Sequence, residues 1–142
     1  MPLVSSAVLS LLRHLAADVA GRRVYLSLSE RANLVSAIAQ FDRSYDGSRL
    51  DEDLLVRSPQ QLRAALAAAA DSVDGRARDA AYTVVAAIQI GLADSRLDAA
   101  DLELIHLVGD AVGLERAKVD AAIERADGPA RAVGGQPMPS SR

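Results

Sequence analysis

Between Ala80 and Ala93 the chain is apolar on nearly every side, with Thr83 and Gln89 the clear polar interruptions among Ala81, Val84, Val85, Ile88, Ile90 and Leu92. The stretch is too short to span a bilayer, which takes about 20 residues. A helix that is apolar all round is stable in water only when other helices surround it. The rest of the chain must therefore supply those helices, and this segment is expected at the centre.

The flanking sequence meets that demand. Val8, Leu11, Leu12, Leu15, Ala16 and Val19 recur at helical spacing, with Ser10, Arg13, His14 and Asp18 between them, up to Gly21. Met1 to Leu12 lacks the basic start of a secretory signal, so this is expected to be an amphipathic helix packed on the domain. Few basic residues line its polar face, which disfavours a membrane-surface role. Ser27 and Glu30 have the spacing of a capping box ahead of Leu34, Ala37, Ile38 and Phe41. A polar run from Asp42 to Arg49 follows, after which Asp51 can cap a short helix through Val56. Ser58-Pro59-Gln60-Gln61 starts another helix, carrying Leu62, Ala65, Leu66, Ala69 and Val73 to a break at Asp74-Gly75. Asp98 caps a helix with Leu102, Ile105, Val108 and Val112, ended by Gly113, and a last helix holds Val119, Ala122, Ile123 and Ala126. The expected fold is all-α, a bundle of six to seven helices over residues 1–126 with an internal two-fold repeat. Residues 127–142 lose periodicity and read as a disordered tail.

Composition narrows function by exclusion. The apolar half is mainly Ala, Leu and Val, with one Phe, three Tyr and no Trp, which favours helices over strands. Without cysteine there are no disulfides, thiolate nucleophiles or Cys-based zinc sites, and a reducing, cytoplasmic setting is the natural expectation. A net charge of −3 and few aromatics argue against nucleic acid as a partner.

One tetrapeptide occurs twice: Ser48-Arg49-Leu50-Asp51 and Ser95-Arg96-Leu97-Asp98. Each copy follows an apolar helix and an aspartate, Asp46 or Asp94, and precedes a further acid, Asp53 or Asp101. Two readings stand open. In one, the leucine plugs the core and the aspartate caps the next helix. In the other, Asp46, Asp51, Asp53, Asp94, Asp98 and Asp101 are ligands for a hard divalent cation such as Ca²⁺ or Mg²⁺, which suits oxygen donors. Asp42-x-Ser44-x-Asp46-Gly47 opens like an EF-hand loop, but the apolar position arrives one residue late at Leu50. Position twelve is Asp53 in place of the usual glutamate.

Ala93-Asp94-Ser95-Arg96-Leu97-Asp98-Ala99-Ala100-Asp101, with an amphipathic helix and Val112-Gly113-Leu114 after it, resembles the signature of the tellurite-resistance TerB-like family. The resemblance covers roughly residues 28 to 126. It implies a bundle of about seven helices with two-fold internal likeness. Its loop acids fall on Asp94 and Asp101, and in the first half on Asp46 and Asp53. It further implies a role in tellurite or oxidative-stress resistance, a metal-binding property and a membrane-associated protein partner. The same module stands at the front of some J-domain co-chaperones. Ser95 replaces the usual Gly, and the first loop is one residue longer than the second.

Motifs for catalysis are sparse. Glu103-x-x-His106 has di-iron spacing, but such a site needs two of these motifs and His14 has no Glu three residues before it. Neither a Gly-x-Ser-x-Gly elbow nor a phosphate loop occurs, and Lys118 is the sole lysine. The expectation is a non-enzymatic module: a cation-responsive stress domain, or a structural protein-interaction domain whose acids only cap helices.

Overall fold

A computed structural model describes residues 4–23, 25–94 and 96–135, without the side chains of Asp94 and of residues 127–135. Among them are seven α-helices and no strand: α1 (Ser6–Gly21), α2 (Leu28–Ala39), α3 (Gly47–Leu55), α4 (Pro59–Ser72), α5 (Ala77–Gly91), α6 (Ala99–Val112) and α7 (Arg116–Gly135). A single 3-10 turn, Leu92–Asp94, follows α5.

The starts are set by short polar side chains. The Ser5, Ser27 and Ser58 hydroxyls accept from the backbone N–H groups of Val8, Glu30 and Gln61, and Glu30 closes the box on Ser27. At the end of α6, Gly113 adopts φ 78°, and the Leu114 N–H reaches back to the Gly109 carbonyl at 2.9 Å. That left-handed turn is nearly free for glycine and costly for residues with a Cβ.

Two helices share the centre. α5 buries Ala80, Val84, Ala86, Ala87, Ile88 and Ile90 and packs against α1, α2, α6 and α7. α1 buries Val8, Leu11, Leu12, Leu15, Ala16, Ala17, Val19 and Ala20 against α3, α4 and α5. Small side chains let these helices approach closely, and the core closes at Phe41, whose ring meets Tyr82 edge-on at 5.8 Å.

Three expectations shift. α5 is not sheathed all round, because Val85 is 39 % exposed and Gln89 faces solvent one turn on. An aspartate at 85 is therefore tolerable, whereas at Ile88, which is 1 % exposed, it would strand a buried charge. α3 begins five residues before the position that capping by Asp51 predicts, at Gly47 with Asp46 as its cap. Finally, the backbone stays helical past Asp127 to Gly135, where the sequence predicts an aperiodic tail. Ala130, Arg131 and Ala132 are good helix formers, but Gly128 and Pro129 before them are the poorest, so local propensity does not account for this extension. Residues 136–142 of that tail lie outside the described residues.

Candidate functional site

The acids singled out by sequence divide between the starts of α3 and α6. At α3, the N-cap is Asp46, with extended backbone (φ −145°) and a carboxylate that accepts from the Arg49 N–H at 3.0 Å and the Ser48 hydroxyl at 2.8 Å. These bonds, the Arg49 N–H first, hold the Asp46 carboxyl below its usual range. Just upstream, Asp42 is held low in the same way by the Ser44 hydroxyl and N–H. One oxygen of each EF-hand-like carboxylate is thus engaged by the local chain. Capping from Asp46 draws Ser48 to Asp51 into the helix and places Leu50, fully buried, on its core face.

Asp51, which the sequence predicts as a cap, instead lies one turn inside α3, 60 % exposed, paired with Arg31 of α2 at 2.9 Å. The same guanidinium donates to the Gly47 carbonyl at 2.8 Å, tying α2 to the first turn of α3. Asp53 faces α1, where Arg13 grips it with two hydrogen bonds of 3.0 and 2.8 Å. The guanidinium also lies 5.7 Å from the centre of the Tyr45 ring. The bonds to Asp53 raise the Arg13 pKa, while burial, then the Asp53 charge, pushes the Tyr45 phenol up.

At α6 the arrangement is tighter. Asp98 and Asp101 form a reciprocal capping box: the Asp101 N–H donates to Asp98 at 2.8 Å and the Asp98 N–H donates to Asp101 at 3.1 Å. Aspartate is short for the reciprocal position, usually Glu or Gln. The start of α6 also lies close against α5: a Cβ on Gly91 would lie 3.6 Å from the Asp101 side chain and 2.7 Å from the Leu97 methyl. Asp101 is 1 % exposed at its side chain, and Arg22 closes over it at 2.8 Å. Arg22 also pairs with Asp18 at 3.0 Å and with Asp98 at 3.6 Å, and Arg57 joins Asp18 from the α3–α4 connection at 3.5 Å. Burial works against the Arg22 charge, but the bonds it donates to Asp101 and Asp18 outweigh it and raise its pKa. The Asp101 N–H, foremost, lowers the Asp98 pKa.

The repeated tetrapeptide therefore has two local fates. Ser48 to Asp51 is the first turn of α3, whereas Leu97 and Asp98 precede α6. What the two starts share is register relative to the cap: an apolar residue before it (Tyr45 or Leu97) and a leucine four after it (Leu50 or Leu102), the positions of a hydrophobic staple.

The described acids of the two helix starts do not converge on one another. Arg13 and Arg22, which hold Asp53 and Asp101, are nine residues apart in sequence, about 13 Å along a helix axis. Among the described residues no group of three or more His, Cys, Asp or Glu side chains is placed to hold a metal. The Asp94 side chain and Ser95 lie outside the described residues. His106 turns to Asp120 of α7, its Nε2 2.7 Å from a carboxylate oxygen, so its partner is not Glu103 on its own helix. An open groove of about 390 Å³ between α2 and α5, lined by Asn33, Ser36, Gln40, Gln89 and Leu92 among others, contains no titratable side chain.

The arginines are what reading the acids alone misses. With 16 basic residues against 19 acidic ones, nearly every carboxylate has a possible internal partner. A second feature has no periodic signal at all: Tyr25, Leu28, Leu55 and Val56 are 76, 84, 87 and 56 % exposed.

Fold and site together define a seven-helix bundle whose described inter-helix acids serve as helix caps and arginine partners. Comparison with protein-family models, curated proteins and solved structures finds no match for the chain.

Proposed function

We propose that the chain is a non-catalytic protein-interaction module in which the inter-helix acids are structural. The observation that carries this reading is the exposure of four large apolar side chains, Tyr25, Leu28, Leu55 and Val56, at the ends of helices. Large apolar side chains this exposed are suited to being covered by another molecule. Asp46, Asp51, Asp53, Asp98 and Asp101, which might otherwise bind a cation, already have N–H or guanidinium partners. The likeness of Ala93 to Asp101 to the TerB-like signature supplies a setting for the proposal, stress or tellurite resistance with a membrane-associated protein partner.

The test is a photo-crosslinking residue at position 55 in cells that make the protein, with position 71 on α4 as control. A discrete adduct at 55 and none at 71 is the expected result, and equal or absent labelling would overturn the reading. Calorimetric titration with Ca²⁺, Mg²⁺, Mn²⁺ and Zn²⁺ is expected to give no saturable heat. A saturable signal would instead favour the divalent-cation module that the TerB-like resemblance implies.

A further inference from the structure

Asn33 of α2 donates its amide to the Ala93 carbonyl just past α5 at 3.1 Å, and further along the Phe41 ring meets Tyr82. α2 and α5 therefore run antiparallel, with the open groove of about 390 Å³ between them. Asn33, Ser36 and Gln40 form one wall, and Gln89 and Leu92 the other. Val85, exposed one turn before Gln89, extends that face of α5. No residue from Ala32 to Phe41 or from Ala80 to Ala93 is charged, in a chain where charges make up 25 % of residues. On the core side of the two helices that follows from burial. On the solvent side it is the charge depletion that marks the centre of an interface.

The chemistry of this face selects what can cover it. Anionic headgroups and nucleic acid are held by basic residues, and none lines the groove. A segment recognised by its charge finds no counter-charge there either. Amides and hydroxyls, by contrast, both donate and accept, so each can pair with its own kind. The Asn33 and Gln40 amides are already fixed on the Ala93 and Ala37 carbonyls, which leaves their oxygens as positioned acceptors. Ser36 and Gln89 have no hydrogen-bond partner among the described residues and can supply donors. The face is thus complementary to itself. Although the chain carries a net charge of −3, a second copy docked here sets no like charges of the groove against each other.

We infer that the α2–α5 face pairs with the same face of a second copy of this chain about a two-fold axis. Val85 and Leu92 supply its apolar contacts, and Gln89, midway between them, lies near the axis. None of Tyr25, Leu28, Leu55 and Val56 lines the groove, so the inference does not rest on the interaction reading above.

Sedimentation equilibrium of the full chain from micromolar to millimolar concentration tests it. The mass is expected to rise from one chain, 14.9 kDa, towards twice that and to stop there. Val85→Asp, at a site where the fold tolerates a charge, should keep the helical circular dichroism of the parent and lose the dimer. Gln89→Lys and Gln89→Glu, both on the exposed side of α5, should each weaken association at least tenfold, because like charges then face one another across the axis. An equimolar mixture of those two variants should recover the dimer. A parent that stays monomeric at millimolar concentration, or assemblies that grow beyond two chains, would overturn the inference. So would a dimer that survives Val85→Asp, or a mixture of the Gln89 variants that stays monomeric. Should Val85→Asp unfold, the two Gln89 variants and their mixture decide the matter alone.

Discussion

The starts of α3 and α6 are built from similar letters but differ in burial. At α3 the cap Asp46 is solvent-facing and Asp51, 60 % exposed, meets a single arginine. At α6 the reciprocal Asp101 is 1 % exposed and Arg22 serves three carboxylates at once. An exposed pair exchanges water for a partner at little net gain, whereas a carboxylate withdrawn from water depends on its partner for most of its solvation. The acids of α6 should therefore decide stability, and those of α3 should mainly set where the helix begins.

The sharpest way to break that comparison is Arg22→Met, which keeps much of the apolar stem and leaves Asp101 buried with only the Asp98 N–H. A loss of about 3 kcal/mol is expected, at the low end of the range for breaking a buried pair because Arg22 is partly exposed. Urea unfolding measures it. A loss below about 1 kcal/mol would place the two helix starts on the same footing.

Asp98→Ala should cost less, about 1 kcal/mol, the usual value of a lost N-cap. This variant also carries a pH signature. The folded state lowers the Asp98 pKa, so its stabilisation is complete above the unfolded carboxylate range, near pH 4, and is lost as pH falls through the folded value. The deficit of Asp98→Ala should therefore be full at pH 7 and shrink on acidification below about pH 4. A deficit that grew on acidification would contradict the sign. Smallest of all, Arg31→Met should cost under about 1 kcal/mol, because Asp51 remains hydrated without it.

Much of this architecture was legible in the sequence, for identifiable reasons. Ser27 with Glu30, Ser58 with Pro59, and Asp98 are local signals whose partners lie within one turn. Gly113 marks a backbone conformation that few residues accept. Val85 misled because periodicity shows that a face is apolar, not that a neighbour reaches it. Asp51 misled because the cap choice between it and Asp46 turns on whether Leu50 enters the core inside the helix or ahead of it, a tertiary matter. Arg22 lies 79 residues from Asp101, and no local pattern joins them.

The most direct test is a pair of double-mutant cycles, Arg22→Met with Asp101→Leu and Arg31→Met with Asp51→Leu. The first coupling is expected to exceed about 2 kcal/mol and the second to stay below about 1 kcal/mol. Equal couplings, or a larger one for Arg31 and Asp51, would contradict the claim that burial separates the two helix starts.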